Sequence, residues 1–104
     1  MEDHSRRLRR AAVLGSGVMG AQIAAHLANA GLPVRLFELP ARDGDKNATV
    51  TRALKGLTRL KPSPLASASA LQAVEACNYD DHLDRLGDCD LVIEAITRSP
   101  AALL

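Results

Sequence analysis

Aromatic residues are almost missing from this 104-residue chain, which has no Trp, one Phe (Phe37) and one Tyr (Tyr79). Without large rings the core must be filled by Leu, Val, Ile and Ala, a composition suited to helices lying close against a sheet. Cysteine is also scarce. Cys77 and Cys89 occur in no CxxC or His-rich setting, so they offer neither a disulfide framework nor a metal site. Both adjoin expected strands and read as small buried residues in a reducing compartment, the cytoplasm. No sign of charge dominates: 13 basic against 12 acidic residues give +1, which argues against nucleic acid or a membrane surface as partner. No apolar stretch approaches the roughly 18–20 residues that cross a bilayer. The length suits one domain rather than two. Arg6, Arg7, Arg9 and Arg10 crowd the N-terminus, but Glu2 and Asp3 argue against a transit peptide. Residues 1–9 therefore read as a solvated basic tail, and 10–104 as the domain.

What is present begins at Ala11. The apolar run Ala11-Ala12-Val13-Leu14 leads into Gly15-Ser16-Gly17-Val18-Met19-Gly20, then a helical stretch, then a second apolar run closing on Glu38. Strand, GxGxxG, helix, strand and acid form the fingerprint of a dinucleotide site. Gly15 permits the tight turn, Gly17 lets the backbone approach a pyrophosphate, and Gly20 lets helix and strand pack closely. The free N–H groups and positive dipole end of a helix starting near Val18 would face the phosphates. Ser16 reads as a small loop residue, not a nucleophile. Glu38 can accept hydrogen bonds from the adenosine ribose hydroxyls of NAD and would repel the added phosphate of NADP. Arg42 reads as a surface arginine. NAD is the cofactor expected.

Coarser patterning completes the domain. The first strand is expected over 10–14 and a helix over 18–30, with Ile23 and Leu27 on one face and Ala24 and Ala28 alongside. Gly31 suits a left-handed cap, and Pro33 stops the helix. A second strand spans 34–37, with Arg35 placed near the solvated end of the sheet. A second helix covers 47–60 through Val50, Ala53, Leu54, Leu57 and Leu60. Its other face carries Arg52, Lys55 and Arg59, either an ordinary solvated face or a group that attracts a polyphosphate. The Ala/Ser stretch 65–70 has no clear assignment. A third strand is expected at 74–77. A helical turn at 80–86 follows, with Leu83 and Leu86 inward and Asp80 or Asp81 as cap. A fourth strand occupies 90–96. Alternation of this kind implies an α/β, partial doubly wound (Rossmann-like) parallel sheet in the order 3-2-1-4, with helices on both faces and no fifth or sixth strand.

The run Leu14-Gly15-Ser16-Gly17-Val18-Met19-Gly20-Ala21-Gln22-Ile23-Ala24-Ala25-His26-Leu27-Ala28-Asn29-Ala30-Gly31 resembles the opening of the L-3-hydroxyacyl-CoA dehydrogenases of fatty-acid β-oxidation. Asp43-Gly44-Asp45-Lys46-Asn47-Ala48, Leu60-Lys61-Pro62-Ser63-Pro64-Leu65 and Asp88-Cys89-Asp90-Leu91-Val92-Ile93-Glu94-Ala95-Ile96 extend the resemblance over about residues 9–96. The resemblance implies that Gly15, Ser16, Gly17, Val18, Met19 and Gly20 surround the pyrophosphate. It also implies that Glu38 replaces the family's usual Asp, and that backbone at Ala95 and Ile96 lies beside the cofactor. Beyond Ile96 the pattern departs: the family's glutamate is replaced by Arg98, and no Lys-rich helix follows.

Family chemistry oxidises the 3-hydroxyl of an acyl-CoA with a histidine–glutamate pair that has no counterpart here. His4, His26 and His82 are not expected to act as that base, so no catalytic residue is assigned and no activity is expected of these residues alone. Acyl-CoA would bind only with the family's helical substrate domain. Two alternatives stand beside this reading. One is a fragment of a β-hydroxyacid dehydrogenase, which Glu38-Leu39 and the later segments fit poorly. The other is a non-catalytic nucleotide-binding or interaction domain. In either case an open edge along strand 90–96 invites self-association.

Overall fold

The computed structural model describes residues 8–95. Four strands, β1 (Ala11–Leu14), β2 (Val34–Glu38), β3 (Val74–Asn78) and β4 (Leu91–Glu94), form one sheet in the order β3-β2-β1-β4. All pairings are parallel: Ala11 sits opposite both Val34 and Leu91, and Val34 opposite Val74. The partial doubly wound sheet expected from the sequence is therefore present.

The central strand β1 is apolar throughout because it is covered on both faces. Its Val13 joins Leu36 of β2 beneath α1 (Val18–Asn29) and α2 (Ala48–Leu57). The buried stripe of α1 is Gly20, Ala21, Ala24, Ala25 and Ala28, small residues that let the helix lie close to the sheet. Ile23 and Leu27, expected on one face with Ala24 and Ala28 alongside, flank that stripe half-buried and pack against the core. The helix closes with Gly31 at φ 88°, its N–H donating to Ala28 O and the Leu32 N–H to Leu27 O, the paired bonds of a Schellman cap. Asn29 then pins the following segment, donating to Pro64 O at 2.6 Å and accepting from Ala66 N at 2.8 Å.

α2 is shorter than its apolar pattern. The Thr58 hydroxyl and N–H both turn back to Lys55 O, the chain tightens into i→i+3 bonds, and Leu60 is left exposed. The unassigned Ala/Ser stretch contributes a short helix, α3 (Ala68–Gln72), with Ala70 in the main core.

On the opposite face lie α4 (Tyr79–His82) and a 3₁₀ segment, Leu83–Asp88. Three sequence readings change here. The cap of α4 is Asn78, whose side-chain oxygen accepts from Asp81 N at 2.9 Å, rather than Asp80 or Asp81. Leu83 is exposed, because the tighter 3₁₀ winding rotates it off the sheet, and only Leu86 packs inward. Arg35, expected near the solvated end of the sheet, is more covered than that: its side chain is 12% exposed, with Nε 3.1 Å from Oε1 of the surface residue Glu75. Of the cysteines, Cys77 is buried and Cys89 half-buried. Burial, then the charge of Glu75, raises the Cys77 thiol to about 11, which leaves it protonated and unreactive at neutral pH. Among the described residues no helix is long and apolar enough to cross a membrane.

Candidate dinucleotide site

The C-terminal ends of the parallel strands meet at the glycine loop. β1 ends by donating from Gly15 N to Phe37 O at 2.8 Å, while Leu14 O accepts from Ala95 N at 2.8 Å. Gly15 has φ 107°, a conformation that side chains other than glycine rarely adopt. A Cβ at Gly20 would overlap the carbonyl of Gly15, so this glycine is demanded by the fold itself. Gly17 is different: it has φ −64° and nothing within 4 Å of an added Cβ. The protein's own packing does not require glycine there, whereas a ligand lying on the backbone would.

Val18 and Met19, at 79% and 66% exposure, open the helix beside this space. Gly17 is the N-cap of α1 and offers no side-chain cap, which leaves the first helical N–H groups for a ligand. From Ser16 and Gly17 a cleft of about 410 Å³ runs between α1 and α2, past Ala21, Ala53 and Leu57.

Glu38 reaches back to this loop. Its Oε1 accepts from Ser16 N and Ser16 Oγ, both at 2.8 Å, and its Oε2 from Leu39 N at 2.9 Å. Burial pushes its pKa up, but the bonds from Ser16 N, Leu39 N and the Ser16 hydroxyl outweigh burial and hold it below its ordinary value. An ionised carboxylate has about four acceptor positions, so one on Oε2 stays available. Ser16, read from the sequence only as small, thus fixes the acid to the loop. A hydroxyl in the loop and an acid ending the next strand were the available signal.

The structure brings Gly15, Ser16, Gly17, Gly20, Glu38 and Ala95 together, with Val18 and Met19 at the rim. Ile96 and Arg98 lie outside the described residues. The basic residues of α2 are not gathered: Arg52 and Lys55 border a shallow groove with Asp45, and Arg59 lies past the helix end. His26 is exposed on α1. His82 Nδ1 accepts from Asn78 N at 3.0 Å, a structural bond.

A parallel sheet with a glycine turn, a helix N-terminus over its strand ends and a carboxylate closing β2 defines a dinucleotide-binding domain. Residues 10–101 match the family model described as 3-hydroxyacyl-CoA dehydrogenase, NAD binding domain. The chain belongs to that family, as its NAD-binding domain. Among curated proteins it is similar to a "Probable 3-hydroxyacyl-CoA dehydrogenase" of Bacillus subtilis, with 36% identity over 90% of this chain and 14% of that protein. A Deinococcus radiodurans protein of the same description is 42% identical over 86% of this chain and 26% of its own length. The chain therefore spans a small part of these relatives. Among solved structures, 3-hydroxybutyryl-CoA dehydrogenase of Escherichia coli superposes with TM-score 0.65 at 31% identity, over 89% of this chain and 20% of that one. The (S)-3-hydroxybutyryl-CoA dehydrogenase of Ralstonia eutropha gives 0.60 at 32% identity, over 91% and 33%.

Proposed function

We propose that this chain is the cofactor-holding part of a cytoplasmic oxidoreductase that converts 3-hydroxyacyl-CoA to 3-oxoacyl-CoA. The observation that carries the reading is the Glu38 carboxylate, ionised and tied to the glycine loop. In this reading the backbone of Gly15, Ser16, Gly17, Val18, Met19 and Gly20 holds the pyrophosphate. Glu38 takes the adenosine ribose, and Ala95 and Ile96 border the cofactor. Accepting both ribose hydroxyls uses the available position on Oε2 and requires the Ser16 hydroxyl to release its bond. The Ser16 N–H can stay. Bound NAD supplies a hydride acceptor, while acyl-CoA engages a substrate domain beyond these residues. We also propose self-association along β4: among the described residues no strand pairs with its outer edge, and Val92 is 47% exposed. Light scattering across a concentration series tests that point, and a concentration-independent monomer rejects it.

Calorimetry with NAD⁺ and NADP⁺ tests the cofactor reading. The unmodified chain should bind NAD⁺ more tightly, and Glu38→Ala should weaken NAD⁺ about tenfold and narrow the difference, as loss of a charge-assisted bond implies. Tighter binding of NADP⁺ by the unmodified chain would sink the assignment.

A further inference from the structure

Tyr79 is not used by the glycine-loop site, yet it stands beside it. It follows Asn78, the register partner of Glu38 at the C-terminal end of the sheet. Its ring stacks on Phe37, with centroids 5.6 Å apart and planes 28° from parallel. Phe37 pairs across β1 with Leu14, and Leu14 pairs with Glu94. The pleat directs Leu14, Phe37 and Glu94 to one face of the sheet, away from α1. The half-buried ring therefore covers Phe37 at the strand ends, the level at which the ladder sets Glu94 against Leu14 and Glu38 against Asn78. Its phenol senses both acids: burial first, then the charges of Glu38 and Glu94, makes the proton harder to remove than usual. In an open parallel sheet the ligand lies in the crevice outside the strand ends, where the strand order reverses, here between β1 and β4.

A ribose held at Glu38 carries a flat purine, and the Tyr79 ring, stacked on Phe37 one residue past the register partner of Glu38, is a flat, partly exposed surface at the same strand ends. We propose that Tyr79 seats the adenine base of the cofactor, its ring stacking on the purine between Glu38 and Glu94. The proposal rests on the assignment of Glu38 to the adenosine ribose. It makes Tyr79 a binding residue for the adenosine half alone, with no contact to the nicotinamide half. The hydroxyl is not required for stacking. Aromatic area is.

The composition supplies a direct test, because Tyr79 is the only tyrosine. With ring-¹³C tyrosine the 104-residue chain gives ring signals from a single residue. Saturating NAD⁺ or AMP should shift these signals through the ring current of the stacked base, whereas nicotinamide mononucleotide should leave them in place. Tyr79→Leu should weaken AMP and NAD⁺ about tenfold, a typical worth for one aromatic contact with a base, and Tyr79→Phe should stay within about twofold of the unmodified chain. An unmoved Tyr79 signal while calorimetry shows NAD⁺ bound would overturn the proposal and leave the cofactor reading standing. Absence of any NAD⁺ binding by the unmodified chain would overturn both. The signal shift in the unmodified protein decides the matter even if Tyr79→Leu fails to fold.

Discussion

One face of the sheet rests on α1 and α2 through aliphatic side chains alone, with Val13, Val34 and Leu36 meeting the alanine stripe of α1 and Val50, Leu54 and Leu57 of α2. Among the described residues the core of the other face is the smaller cluster of Ala12, Phe37 and Cys77, closed by Tyr79, Leu86 and Cys89. Polar groups complete that thinner layer. Arg35 donates from its guanidinium to Arg85 O at 2.7 Å and lies 3.7 Å from Asp88, while Glu75 pairs with both Arg35 and Arg85. Burial works against the Arg35 charge, and Glu75 first, then Cys89, together more than offset it. The first face is a packing surface. The second combines a thin cover with an ion cluster, and the chain's two aromatics sit there, beside the strand ends.

The sharpest way to break this contrast is to empty the thick face. Leu36→Ala, at a fully buried position, should cost about 2–5 kcal/mol in urea denaturation, through lost transfer energy and a residual cavity. A loss near zero would mean that α1 and α2 do not carry the core. Next comes the loop where the two faces meet. Gly20→Ala should cost about 1–3 kcal/mol, since its Cβ overlaps the Gly15 carbonyl and the helix must shift. Gly17→Ala should change stability by no more than about 0.5 kcal/mol while weakening NAD⁺ binding. Equal stability losses at the two glycines would contradict the separation of packing from binding.

On the thin face the expected effects are smaller. Arg35→Met replaces a mostly buried cation whose main partner, Glu75, is 44% exposed and can return to water. The cost should be about 1 kcal/mol or less by denaturation. A cost as large as that of Leu36→Ala would make the ion cluster an equal support. The smallest effect concerns pH. The folded pKa of Glu38 is lowered, so its ionised form stabilises the fold above the ordinary carboxylate value near 4.5. That stabilisation is lost as the pH falls through the depressed value. Glu38→Gln should therefore be less stable than the unmodified chain at neutral pH, and the gap should close on acidification below about pH 4.5 in thermal melts. A gap that widens in acid would reverse the sign of the interaction.

The thick face was legible because its signals are local. Gly31 and Pro33 end α1, apolar positions recur with helical spacing in α2, and β1 and β4 are short apolar runs. The thin face was not, because its closure rests on contacts across the chain. Arg35 broke an apolar strand and read as lying near the solvated end of the sheet, since its cover comes from Glu75 and from Arg85, far along the sequence. Leu83 read as inward because a helical period was assumed where the chain winds as 3₁₀. Asp80 and Asp81 looked like caps, yet the buried Asn78 takes that role and also donates to Asn47 Oδ1 at 2.8 Å, joining β3 to the start of α2.

By itself the sequence determined the cofactor class and the parallel order of the strands. GxGxxG between an apolar run and a helix, with an acid ending the next strand, meets backbone and charge requirements set within a few residues of one another. Only the tertiary structure decided what the side chains do at the strand ends. Ser16 became the donor that holds Glu38, and Tyr79 came to lie on Phe37 at the strand ends. Those roles depend on the register that sets Glu38 against Asn78 and Leu14 against Glu94. Register joins residues distant in sequence through the backbone ladder, and no local spacing encodes it.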